Sequence, residues 1–182
     1  MISFRDMDEI EIVEPDPRWP EMFRVEAAQL RRALDPALVI DIEHFGSTAI
    51  AGLAAKPIID ILITVRSIAA AQSAIAPLLA LGYVFWEDNP RKDRMFFVKG
   101  MPPDGARRTH HVHIMEPGDE LQRQLLFRDY LRAHSDEAQR YEALKRDLAQ
   151  RHRHDREAYT SAKDDYAAAI TAKARRIGIA RG

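Results

Sequence analysis

The stretch that decides the fold is residues 56–65, KPIIDILITV. After the proline, its apolar run is interrupted once, at Asp60, and such a run predicts a central strand buried on both faces of a sheet. Side chains alternate along a strand, so Asp60 shares one face with Leu62 and Thr64, while Ile59, Ile61 and Ile63 share the other. A carboxylate in this position is costly unless it is paired or binds a metal ion. Asp60 is therefore a candidate metal ligand; the alternative is an aspartate satisfied by the backbone or by Lys56.

A short polar turn precedes this strand, at His44-Phe45-Gly46-Ser47-Thr48. Glycine permits a tight turn and a close approach of the backbone to a ligand, and the two hydroxyls add short donors. Consecutive free backbone N–H groups at such a turn bind phosphate. The turn predicts a phosphate site, although turns of this composition are also common without one.

The third feature is the segment 109–115, THHVHIM. In a strand, His111 and His113 lie on one face, and two imidazoles at this spacing can reach the same metal ion or phosphate. Arg107 and Arg108 precede them and add positive charge. The alternative is a pair of buried structural histidines.

The overall charge limits the partners. The chain has 182 residues, 27 Lys and Arg, 28 Asp and Glu, no cysteine and a net charge of -1. The balance argues against long nucleic acids, and the lack of cysteine excludes disulfides and thiolate sites. No apolar run has the length of a membrane span, and residues 1–6 are polar and acidic, unlike a signal peptide. A cytoplasmic protein is expected.

The charge is unevenly distributed. Residues 91–113 carry six basic and two acidic side chains and three histidines, whereas residues 1–43 carry five basic and eleven acidic ones. A basic segment in a nearly neutral protein indicates an anion site, or simply a solvated loop. The candidate cations are Lys56, Arg94, Lys99 and Arg107.

Hydrophobic periodicity predicts a mixed sheet followed by a helical segment. Besides the central strand at 58–65, strands are expected at 9–13, 39–45, 83–86, 94–99 and 108–115. Helices are expected at about 20–34, 68–81, 119–134, 136–151 and 156–176, with Ser67, Ser135 and Asp155 as N-caps.

Several of these stretches carry a family resemblance. The chain resembles the GrpB family, which implies a nucleotidyltransferase-like fold of the DNA polymerase beta type. The fold class implied is α+β, a mixed β-sheet flanked by helices with a C-terminal helical segment. A single domain over residues 1–182 is expected, with a sheet core at 1–118 and the helical segment at 119–182. The matching segments are 13–19, 44–48, 52–61, 109–113, 129–132 and 141–145, together with Tyr159 and Lys163.

The resemblance also implies a mechanism. Asp60, His111 and His113 are the expected catalytic residues and ligands of a divalent metal ion (Mg²⁺, Mn²⁺ or Zn²⁺), with His111 the best candidate for a general base. The superfamily places a second acid where this chain has Leu62, which cannot bind metal. The residues expected to bind a nucleotide or phosphate are His44, Gly46, Ser47, Thr48, Lys56, Arg94, Arg107, Tyr159 and Lys163.

Three functions therefore remain open at this stage. The first is metal-dependent nucleotidyl transfer to a hydroxyl or amine acceptor. The second is a non-catalytic nucleotide-sensing or helper module associated with dephospho-CoA kinase, to which related domains are fused. The third is another enzyme that acts on a small anionic substrate. The expected partner in each is a nucleotide or another small phosphorylated or anionic molecule.

Overall fold

A five-stranded mixed sheet forms the centre of the molecule. The computed structural model describes residues 9–178. The sheet order is β1-β2-β5-β4-β3; β2 and β5 are parallel, and every other neighbouring pair is antiparallel. The α+β class predicted from the sequence is confirmed. The strands are β1 (Val39–Phe45), β2 (Ile59–Val65), β3 (Tyr83–Phe85), β4 (Met95–Lys99) and β5 (His110–Met115).

Helices cover both faces of this sheet. The main core lies on the face of Ile59, Ile61 and Ile63, which pack with Leu30 and Leu78. On the other face, Leu62 packs with residues of the third helix. The helices are α1 (Trp19–Ala33), α2 (Ile75–Ala80), α3 (Asp119–Ala133), α4 (Ser135–Arg151), α5 (Arg156–Ser161) and α6 (Asp164–Arg176), with 3-10 turns at Ser47–Ala49 and Ala70–Ala74. None of the helices described is long and apolar enough to cross a membrane.

The strand predicted at residues 9–13 is wrong. Only Val13 forms a bridge, exchanging backbone hydrogen bonds of 2.9 and 3.1 Å with Ala55. Ile10 is instead buried against Leu148 and Tyr159 of the helical segment. The alternating pattern is real, but the residues that bury Ile10 belong to helices rather than to a sheet.

Two predicted helices are interrupted. The segment 68–81 starts as a 3-10 turn and becomes α-helical only at Ile75, so that Pro77, which has no N–H, falls in the first turn of α2. The segment 156–176 breaks between Ser161 and Asp164 into α5 and α6. Both breaks are invisible to hydrophobic periodicity alone.

The predicted N-caps fare differently. Asp155 caps α5, because its carboxylate accepts a 2.9 Å hydrogen bond from the backbone N–H of Ala158. Ser67 accepts a 3.3 Å bond from the N–H of Ala70, at the start of the 3-10 turn. Ser135 is wrong as a cap, since it is the first residue of α4 itself and His134 precedes the helix without a side-chain cap bond.

Candidate functional site

Asp60, His111 and His113 lie together on one face of the sheet. β2 and β5 are parallel neighbours in a register that pairs Asp60 with His111 and Leu62 with His113. The Nδ1 atom of His111 lies 3.0 Å from Oδ1 of Asp60. One ligand atom from each of the three residues lies within 4.8 Å of the others, which is close enough for one metal ion to bind all three.

The two imidazoles carry unused nitrogens. Among residues 9–178, Nε2 of His111 and Nδ1 of His113 are buried atoms without a hydrogen-bond partner. Buried polar atoms are normally paired, so an orphaned pair beside a carboxylate needs an explanation. An ionised Asp60 only accepts, so Nδ1 of His111 is the donor and its Nε2 keeps a lone pair. The donor set thus fits a cation.

The protonation states of these three side chains also suit a cation site. Burial lowers the pKa of His113 to about 3 and also lowers the pKa of His111, although the bond to Asp60 opposes the latter shift. Burial favours a protonated Asp60, but the hydrogen bond from His111 and the charge of Lys56 contribute to a pKa below the usual value. Near neutral pH the site holds neutral imidazoles and an ionised carboxylate, which are the forms that bind metal ions.

Gly46 brings the turn against this carboxylate. Its φ is +70°, and a Cβ atom there would lie 2.5 Å from Oδ2 of Asp60. The next residue, Ser47, contacts the hydroxyl of Tyr141 on α4. Gly46 and Ser47 therefore border the site, as the sequence suggested.

His44 and Thr48 brace the same turn from the interior. Thr48 Oγ1 donates a 3.1 Å bond to the carbonyl of Ile58, so Nε2 of His44, at 3.0 Å, must donate to that hydroxyl. The His44 ring stacks on Phe23 at a centroid distance of 4.8 Å. Both polar side chains are buried and committed to protein partners.

Two lysines approach the same aromatic ring beside the site. The Nζ atoms of Lys56 and Lys163 lie 5.0 and 4.2 Å from the ring centroid of Tyr159. Burial lowers the pKa of Lys163 to about 8, and burial with the charges of Lys163 and Arg156 lowers that of Lys56; the charge of Asp60 opposes both shifts. Because the charge of Lys163 disfavours a charged Lys56, an anion bound beside the two lysines would offset this repulsion.

Sequence reasoning missed a second pair of the same kind. Lys145 on α4 is 1% exposed, donates to the carbonyl of Ala54, and places Nζ 5.0 Å from the ring centroid of Tyr141. Tyr141 and Lys145 are four residues apart, as are Tyr159 and Lys163. This repeated Tyr-x-x-x-Lys spacing was the available signal.

The other predicted cations are placed differently. Arg94 is buried and paired with Asp93 and Glu120 at 2.9 and 3.0 Å. Lys99 points to the opposite face, where it binds Glu26 at 2.8 Å. Arg107 is exposed and lines a cavity next to Lys56. Of the four, the structure brings Lys56 to the site and Arg107 to its edge.

Leu62 occupies the strand position where a second acidic ligand would lie. It is fully buried with Phe45 and Met115 of the sheet and Leu121 and Leu125 of α3. An aspartate there would be enclosed in apolar surroundings, at a cost of several kcal/mol. The site has one carboxylate on β2 and two imidazoles on β5.

Lys145 makes the stability of the protein depend on pH. Burial lowers its pKa to about 7 from the ordinary 10.5. Between these values the unfolded chain binds a proton that the folded chain does not, so stability rises with pH, by about 1.4 kcal/mol per unit, and the full penalty applies below pH 7. We expect Lys145→Met to remove this increment from the slope of unfolding free energy between pH 7 and 9, measured by urea denaturation. Lys92→Met, at an exposed position, should keep the slope, and an equal slope in both variants would contradict the assignment.

A family model and several known proteins are similar to this chain. A family model described as GrpB protein matches residues 9–173. A UPF0157 protein of Pseudomonas aeruginosa is 53% identical over 173 residues, 94% of this chain and 70% of that protein. The crystal structure of conserved protein GrpB from Enterococcus faecalis superposes with a TM-score of 0.80 at 35% identity, covering 90% of this chain and 96% of that one. A dephospho-CoA kinase of Mycolicibacterium paratuberculosis is 36% identical in an alignment that covers 86% of this chain and 44% of the kinase.

Proposed function

The chain belongs to the GrpB family, and from this premise we propose that Asp60, His111 and His113 bind a divalent metal ion and that the surrounding cleft binds the phosphate groups of a nucleotide or another phosphorylated small molecule. The observation that carries the proposal is the pair of buried, unpartnered imidazole nitrogens beside an ionised carboxylate. Leaving such atoms unpaired costs about 1–3 kcal/mol each, which a bound cation would recover.

The donor set favours some metals over others. Mg²⁺ prefers six oxygen ligands in near-octahedral geometry, whereas imidazole suits Zn²⁺ and other transition metals, and carboxylate suits Mn²⁺. With two nitrogens and a single carboxylate, the site is suited to Mn²⁺ or Zn²⁺. The metal would supply Lewis-acid polarisation of a phosphate oxygen.

The chain's own residues supply the rest of the site. Lys56 and Lys163 would neutralise charge on the phosphate oxygens, and an arriving anion would favour their protonated forms. The turn at Gly46 and Ser47 would lie against the phosphate. His44 and Thr48 would hold this turn in place rather than contact the ligand.

Nucleotidyl transfer is the finer form of the proposal. A hydroxyl or amine acceptor would form a bond to the α-phosphorus while the bond to the bridging oxygen breaks and pyrophosphate leaves. Because His111 is a metal ligand in this proposal, it is not also the general base, and the proton of the acceptor would pass to solvent. With Leu62 in place of a second acid, transfer would be slow or restricted to Mn²⁺ or Zn²⁺.

His113→Leu tests the metal site, because it should weaken metal binding without lowering stability, whereas misfolding would lower both. His113 lies against Phe45 and Phe96, with ring centroids 5.1 and 4.7 Å away, so leucine fits the surroundings and removes an unpartnered nitrogen. We expect the metal-free variant to be as stable as the parent or up to about 1 kcal/mol more stable. Its affinity for Mn²⁺ and Zn²⁺, measured by calorimetry, should fall at least tenfold. Unchanged metal affinity would place the metal elsewhere or rule it out.

A helper module is the second candidate. The region of similarity within a dephospho-CoA kinase favours it, as does the buried Leu62. Such a module would bind nucleotide with the lysines and the turn alone. Nucleotide affinity that is the same with EDTA and with Mn²⁺ would support the helper role, whereas metal-dependent affinity would support the first proposal.

A further inference from the structure

A separate cavity adjoins the site through Lys56. It has a volume of about 210 Å³ and opens between residues 9–11, the approach to β2 and the loop that leads into β5. A water molecule occupies about 30 Å³ of liquid, so the cavity has room for one phosphate group with ordered waters. Its charged lining consists of Lys56, Arg107, Arg108, Arg156, Glu9 and Glu11.

The lining is mostly basic. It contains four basic and two acidic side chains, and Glu9 is paired with Arg153, which is not part of the lining. Burial lowers the pKa of Lys56, and the charges of Lys163, Arg156 and Arg108 lower it further. Lys56, which lies at the wall that the cavity shares with the site, is therefore within reach of the basic side chains of the lining. Glu11 is the acidic lining residue whose charge opposes an incoming anion.

One wall of the cavity is fixed in place by contacts with the rest of the chain. The N-terminal strap, residues 9–14, is tied by the Val13–Ala55 bridge and by a 2.9 Å bond from the N–H of Ile10 to the carbonyl of Arg153. Ile10 anchors it in an apolar cluster with Tyr159, the ring that both Lys56 and Lys163 approach. The strap therefore forms a fixed wall that carries Glu11 at the cavity mouth.

We propose that this cavity is a second anion subsite, so that the ligand carries two anionic groups, one beside Asp60 and Lys163 and one between Lys56 and Arg107. The inference rests on the proposed function, since it extends the same cleft. It narrows the ligand class to diphosphates and molecules with two nearby phosphates. A single phosphate fills one subsite and leaves the other to water.

Opposite effects of two cavity variants test the proposal. The probe is pyrophosphate, compared with orthophosphate, by calorimetry at low salt with Mn²⁺ present. We expect pyrophosphate to bind at least about tenfold more tightly than orthophosphate. Arg107→Gln should lower pyrophosphate affinity about three- to tenfold, and Glu11→Gln should raise it about two- to fivefold, because each alters one charge at a partly exposed site. A misfolded variant cannot gain affinity.

Arg24→Gln is the matched control. Arg24 is an exposed arginine on α1, where it pairs with Glu21, and its loss should leave both affinities unchanged. If Arg107→Gln and Glu11→Gln both stay within twofold of the parent, the cavity is not a subsite, even when the metal site behaves as proposed. Both variants could shift pyrophosphate affinity as expected while that affinity is the same with and without Mn²⁺ and in His113→Leu. That result would support the subsite and contradict the metal proposal.

Discussion

Asp60→Asn is expected to abolish the binding of Mn²⁺ and Zn²⁺. Asparagine keeps the shape of the side chain and still accepts the hydrogen bond from His111, so the sheet should fold normally. What it removes is the charge, and Asp60 is the one carboxylate within the Asp60–His111–His113 cluster. Because altering even a supporting group of a metal site typically costs about 10–100-fold in affinity, loss of the charged ligand should cost at least about 100-fold. The measurement is a calorimetric titration of metal into each protein.

Asp88→Asn serves as its control. Asp88 is an exposed carboxylate in the loop between β3 and β4, and the substitution changes the same charge by the same chemistry. It should leave metal affinity unchanged. Metal binding by Asp60→Asn at the level of the parent protein would show that the cation, if any, is held elsewhere.

Gly46→Ala is expected to damage both the fold and the site. Gly46 has φ +70° and ψ −171°, a backbone region open essentially to glycine alone, which costs alanine about 1–3 kcal/mol, and the new Cβ would lie 2.5 Å from Oδ2 of Asp60. One of the two groups must move, so we expect a total loss of about 3 kcal/mol in unfolding free energy together with a displaced carboxylate. Metal affinity should fall with it. Urea denaturation and the same metal titration measure the two effects.

Gly52→Ala separates the causes. Gly52 has nearly the same φ, +75°, but a Cβ there meets no atom within 4 Å. The unfolding free energy of Gly52→Ala should fall only by the cost of the backbone conformation, about 1–2 kcal/mol, and its metal affinity should be unchanged. If the two variants lose equal stability and both retain the metal, the close approach between Gly46 and Asp60 has no functional consequence.

The face on which the site lies could be predicted from the sequence. Alternation along residues 58–65 and 109–115 is a local property, and it put Asp60 on one face of its strand and both histidines on one face of theirs. The apolar face of Ile59, Ile61 and Ile63 then fixed which side would be buried in the main core. What alternation cannot give is the register, which sets Asp60 directly beside His111.

The remainder of the site depends on contacts between distant segments. Tyr141 and Lys145 reach it because α4 packs beside the loop at Ala54, and nothing in their local pattern requires this. The segment at residues 9–13 alternates like a strand, yet Ile10 finds its apolar partners on helices. Lys99 and Arg94 looked equivalent to Lys56 as cations, but nearby acids bind both. Such differences arise from tertiary packing.

The two lysines that approach the Tyr159 ring have a consequence for experiments. Burial lowers the pKa of both lysines, and the charge of Lys163 lowers that of Lys56 further, so protonating both side chains is costly without a bound anion. A polyanion that binds here would favour the protonated forms, and by mass action its binding would raise the apparent thermal stability. A melting temperature recorded in phosphate and one recorded in an amine buffer then describe different species. The choice of buffer therefore affects the measured stability, and purification in phosphate or citrate would mask the binding of a weak ligand.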